Sequence, residues 1–226
     1  MTVTRHPPRR SPDVRGYATA LLALPVLTAC GTSAAASPSP APSPTHAARC
    51  GPASARTLEA NPAARVYVAA HGAVYGCAAQ TGKVSFLGNR QICFAGPRIG
   101  PISLAGRLAA YALQRCGTDT SSSDVVVRDL ADGKVLTNRA AISRVPGPES
   151  FASVGKIVVK RDGSIAWSAG VSSIGHPSEV FEVHRVDRRG PALLDSGGAI
   201  AAASLRLRGS TVTWSDHGQP RSARLD

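Results

Sequence analysis

Three observations on the 226-residue chain predict an all-β fold of repeated antiparallel hairpins. From residue 49 onward no long stretch repeats its apolar residues at helical spacing. Short apolar runs, rich in β-branched and aromatic residues, are cut instead by Gly, Asp-Gly or Arg-Gly. These runs also resemble one another closely enough to be read as about four repeated units.

Tyr67–Cys77 is an apolar run, a His71-Gly72 turn and a second run. Leu104–Tyr111 repeats the scheme around Gly106, Val158–Trp167 around Gly163, and Leu205–Trp214 around Gly209. In each, glycine supplies the positive φ of a tight hairpin turn. An aromatic residue or Cys follows four or five positions later, on the predicted inner face of the returning strand. A second element recurs as Ala79–Val84, Asp129–Leu136 and Val186–Leu193, each beside a strand such as Val125–Arg128. Two hairpins per unit predict four-stranded blades, although the interval between units is irregular.

The scheme resembles TolB-like and WD-repeat-like β-propeller sequences, especially the short secreted and lipid-anchored ones of actinobacteria. Leu207–Trp214 carries the resemblance most closely, matching a closing Leu-Arg-Gly-Ser-x-x-x-Trp hairpin. It spans about residues 65–226 and implies a propeller-like ring or an open partial propeller. The Trp-Asp dipeptide of true WD-repeat blades is absent. The resemblance brings no catalytic motif, and such domains mostly bind.

Ahead of this domain the chain reads as an address. Residues 1–16 carry Arg5, Arg9, Arg10 and Arg15 against Asp13, and a short apolar stretch then ends at Leu27-Thr28-Ala29-Cys30. A basic segment, an apolar core and small residues make a secretory signal over 1–29. The last four residues resemble the lipobox of bacterial lipoproteins, which makes Cys30 the lipidation site. Two acyl chains there would hold the protein stably on a membrane. Residues 30–48 follow as the lipidated Cys and a Ser/Pro/Ala spacer, favouring extended polyproline II. Residues 49–226 form the β domain.

Four cysteines remain: Cys50, Cys77, Cys93 and Cys116. An even number in an exported chain predicts two disulfides, with three connectivities open. Spacing favours Cys50–Cys77 and Cys93–Cys116. No C-x-x-C occurs and the His residues are dispersed, so no metal and no cofactor are expected.

The formal charge of +12 comes from 26 Lys+Arg, 22 of them Arg, against 14 Asp+Glu. Cleavage after residue 29 would remove four bases and one acid, lowering it by three to +9. The charges are scattered and aromatics make up only 4%, so a nucleic-acid partner is not expected. A basic body near an anionic membrane or wall would still lie close to it, in a salt-dependent way.

The enzymatic alternative is a trypsin-like serine hydrolase. Asp195-Ser196-Gly197-Gly198 resembles its nucleophile segment, Val68–His71 its histidine segment, and Asp119, Asp124 or Asp129 could supply the acid. Against it, Leu194 stands where Gly is expected, and His71 occupies a hairpin-turn slot. Trp167 and Trp214 fall at near-equivalent repeat positions and are expected in the core rather than as sugar platforms. His184 is expected on an outer strand face. The expectation is therefore a non-catalytic, lipid-anchored binding or scaffold module with a protein or anionic envelope partner. Its oligomeric state is not legible.

Overall fold

Alternation of apolar and polar residues, with glycine at the turns, builds fifteen strands among the described residues. The computed structural model describes residues 50–91, 96–143, 149–174 and 176–226, with the side chains of 176–179 outside that description. The first four strands are β1 (Arg56–Asn61), β2 (Ala64–Val68), β3 (Ala73–Ala78) and β4 (Val84–Asn89). Next come β5 (Arg98–Ala105), β6 (Leu108–Cys116), β7 (Ser121–Asp129) and β8 (Val135–Ala140). A third set is β9 (Ser150–Val159), β10 (Ile165–Ser173), β11 (His176–Asp187) and β12 (Gly190–Gly197). The chain closes with β13 (Arg206–Arg208), β14 (Thr211–Asp216) and β15 (Gln219–Arg224).

The all-β expectation and the positions of the hairpins hold. The arrangement of repeated propeller-like blades does not. The first twelve strands belong to one mixed sheet, in the order β1 to β7 and then β9 to β12, with β8 attached to β7; β13–β15 form a separate three-stranded sheet. Among the described residues the strands form neither a closed ring nor a set of separate propeller-like blades. What joins the antiparallel meanders is a pair of parallel contacts, Asn89 with Arg98 and Ser121 with Phe151. Asn89 also donates its N–H to the Pro97 carbonyl at 3.1 Å. A strand end that meets the next meander in this way extends the ladder, because unpaired backbone groups at a sheet edge favour pairing. Period-2 patterning sets which face of a strand is buried, but not which edge meets which.

Among the described residues three larger apolar clusters fill the interior, with a fourth, of Cys50, Tyr67, Cys77 and Ala79, around the first disulfide. Ala64, Val66, Val74, Leu87, Tyr111 and Leu130 pack around β2, β3 and β6. Val125, Val127, Ile157, Ile165 and Trp167 pack from β6 to β10. Val183, Leu205, Val212, Trp214 and Leu225 tie the small sheet to β10 and β11. Trp167 and Trp214 are core residues, as expected. Their indole N–H groups donate to the Ala141 carbonyl at 2.8 Å and to Asp195 Oδ2 at 2.6 Å.

Cys50 and Cys77 form a disulfide with Cα atoms 5.4 Å apart, one of the two predicted pairings. Cys116 is also disulfide-bonded. Its expected partner Cys93 lies outside the described residues, as do the signal 1–29, Cys30 and the spacer to 48. Among the described residues no helix is long and apolar enough to cross a membrane.

Candidate functional site

Hairpin turns from three meanders line two adjoining clefts. The first, of about 450 Å3, is lined by Asn61–Ala63, Leu104–Gly106 and Val159–Arg161. The second, of about 420 Å3, is lined by Ala105–Leu108, Asp129, Leu136, Arg161 and Asp162. Ala105, Gly106 and Arg161 border both.

Local sequence builds each wall. The Asn61 side chain accepts the N–H groups of Ala63 and Ala64 at 2.8 and 2.9 Å, closing the β1–β2 turn, and its Nδ2 donates to the Gly106 carbonyl at 3.0 Å. One asparagine therefore shapes its own turn and ties it to the next meander. Gly106 sits at φ 59°, which favours glycine. A Cβ there would lie 3.7 Å from the Arg161 stem, so the arginine lies across the turn.

Three cations face these clefts, each held differently. Arg107 Nε donates to Asp129 Oδ2 at 2.8 Å while its side chain stays 58% exposed. Lys160 donates to the Leu225 carbonyl at 3.0 Å and pairs with Asp162 at 3.2 Å. Arg161 is exposed and has no hydrogen-bond or ion-pair partner among the described residues. The two carboxylates are already committed. Asp129 accepts from Ala131 N–H as well as Arg107, at 2.9 Å. Burial pushes the Asp162 pKa up, but hydrogen bonds from Ser164 and the Lys160 ammonium prevail and hold it below the usual range. The arrangement can receive an anion.

A second, buried cluster lies elsewhere. Glu182 Oε2 accepts the Ser143 N–H at 2.6 Å and lies 2.7 Å from His184 Nε2. The His184 ring stacks on Trp167, with centroids 5.0 Å apart and planes 13° from parallel. Burial lowers the His184 pKa, against the pull of Glu182 in the other direction. The expectation of an outward-facing His184 is corrected: it is only 7% exposed. A signal was present, since Glu182 and His184 are two apart on one strand and so share a face. The cross-strand pairing of His184 with Trp167 was not legible.

The hydrolase residues are not brought together in a charge relay. His71 is exposed in the β2–β3 turn at φ 59°, as its turn slot implies. Ser196 is exposed on β12. Asp129 is bound to Arg107 and Asp124 to Arg115, Asp119 is exposed between β6 and β7, and none of the three bonds His71; Asp195, beside Ser196, is bound to Trp214. Among the described residues no cluster of three or more His, Cys, Asp or Glu could hold a metal ion. The turn-end cations were missed because Arg107 and Arg161 are far apart in the chain and look like ordinary surface arginines.

No family model matches the chain, and no curated protein matches it. Among solved structures it is similar to Kuenenia stuttgartiensis hydrazine synthase at 18% identity and a TM-score of 0.37, over 69% of this chain. The similarity spans half the length of that chain.

Proposed function

We propose that the chain is a non-catalytic binding module, anchored by lipid on Cys30 at the extracytoplasmic face of the cell membrane, whose partner engages the turn end. The observation that carries this reading is the pair of clefts flanked by Arg107, Lys160 and Arg161, where the acids are spent on fixing the arginine and the turn. Binding faces are commonly built on loops held by a rigid scaffold. The Cys50–Cys77 bond suits an exported chain. The anchoring part rests on residues 1–30 alone. The hydrolase reading gains nothing from geometry that leaves His71 and Ser196 exposed with no hydrogen bond between them.

A photo-cross-linkable residue at Pro62, in the cleft wall, is expected to capture a partner from whole cells. Capture should survive about 0.5 M salt, where exposed charge attraction is screened. The same residue at Gln219 on β15 should capture none. Equal capture at both positions, or none at Pro62, ends this reading. Palmitate labelling lost in Cys30→Ala tests the anchor, and fluorophosphonate labelling lost in Ser196→Ala would favour the hydrolase.

A further inference from the structure

We propose that the cleft between Arg107 and Arg161 binds a phosphate group, carried by the partner as a monoester or diester. This rests on the binding-module reading and names the chemistry of its site. Both arginines border the same cleft, on either side of Gly106. Asp129 takes the Nε of Arg107, which fixes the guanidinium while its terminal nitrogens make no further hydrogen bond among the described residues. Arg161 offers its whole fork. Guanidinium forks match the tetrahedral oxygens of phosphate and donate charge-assisted hydrogen bonds. Of the two carboxylates that line this cleft, Asp129 takes one N–H of Arg107 and Asp162 pairs with Lys160, so most of the ten guanidinium N–H donors stay available.

The turn backbone adds to this. Gly106 and Arg107 are the central residues between the Ala105–Leu108 pair, so cross-strand pairing does not use their N–H groups. Successive N–H groups in a turn with positive φ form a concavity suited to anions. Lys160 contributes charge at the rim of the first cleft. Asp129 and Asp162 keep their charges but direct oxygens at Arg107, Ala131, Lys160 and Ser164, so the three cations Arg107, Lys160 and Arg161 exceed them by one formal charge.

The test uses the full-length chain with Cys30→Ala, so that no acyl group enters a vesicle. Pyrophosphate is titrated in calorimetry. Vesicles of phosphatidylglycerol and of phosphatidylcholine are compared by sedimentation, read as the difference between the two. Arg161→Gln is expected to weaken binding about tenfold, and the charge-matched Arg208→Gln, on the exposed β13, by less than about twofold. Arg107→Lys keeps the charge and should also weaken binding, because the fork is lost. An Arg161-dependent vesicle signal with weak pyrophosphate binding assigns a lipid headgroup; the reverse assigns free or polymeric phosphate. Equal loss in Arg161→Gln and Arg208→Gln, no binding in either arm, or equal competition by acetate at matched ionic strength overturns the proposal. If Pro62 still captures a partner in that event, the binding-module reading stands and only the phosphate assignment falls.

Discussion

The two ends of the β domain are fastened by different physics. At the N-terminal end the Cys50–Cys77 bond joins the segment before β1 to β3. Beneath it the buried Arg65 guanidinium donates to the carbonyls of Cys50, Pro52 and Ala55 and lies 5.2 Å from the Tyr67 ring centroid. At the C-terminal end no covalent link occurs among the described residues. There the fully buried Asp187 carboxylate receives hydrogen bonds from Arg185, from both the side chain and N–H of Arg189, and from the Asp226 N–H at 3.0 Å. Burial pushes the Asp187 pKa up, but these donors outweigh it and hold the carboxyl far below the usual range. A covalent staple is indifferent to pH and salt, whereas a carboxylate staple is indifferent to reductant and fails in acid. The domain thus has two failure modes at opposite ends.

The largest expected effect comes from cutting the covalent staple. Closing a loop of 27 residues restricts the unfolded chain by about 3.5 kcal/mol in the entropy model. Cys50→Ala with Cys77→Ala should lower unfolding stability by about that much in urea titration, and reductant should have no added effect at this bond. A loss below about 1 kcal/mol would mean that Arg65 alone secures this end.

Next is Asp187→Asn, which leaves two arginines without their carboxylate. A loss of about 2 kcal/mol is expected at neutral pH. Its sign with pH is definite. The folded pKa lies below the ordinary value of 3.8, so this stability is complete above 3.8 and is lost as pH falls from there toward the folded value. Asp187→Asn should therefore equal the wild type in strong acid, whereas the disulfide variant should remain weaker at every pH.

A smaller effect belongs to His184. Its folded pKa lies below the ordinary 6.5, so the unfolded state takes up a proton first. Stability is complete above 6.5 and declines as pH falls through that value toward the folded pKa. His184→Phe should flatten the decline and leave the Asp187 step unchanged. An unaltered slope between pH 6.5 and 5 would contradict the burial argument. Smallest of all, Arg161→Gln should change stability by less than about 0.5 kcal/mol, since the side chain is exposed and unpaired among the described residues. This separates its loss of binding from any loss of fold.

Local features were readable in the chain for a physical reason. A hairpin is made by residues close in sequence, so alternation and a turn glycine were enough to find β2–β3 around His71-Gly72 and β13–β14 around Gly209. Trp167 and Trp214 could be placed in the core because their repeat positions share a strand face. The Cys50–Cys77 pair was within reach because only 27 residues, forming two consecutive hairpins, separate its ends.

By itself, then, the sequence determined the strand class, the glycine turns of the repeated hairpins and the aromatic core, and favoured the first disulfide among three connectivities. Tertiary structure alone decided how the meanders join, through Asn89 with Arg98 and Ser121 with Phe151. It alone brought Asp226 to Asp187, His184 onto Trp167, and Arg161 to the cleft that Arg107 borders. The reason is distance along the chain. Period and turn chemistry specify what a residue does within its own hairpin, while contacts between hairpins depend on how whole sheets pack, and no local pattern records that.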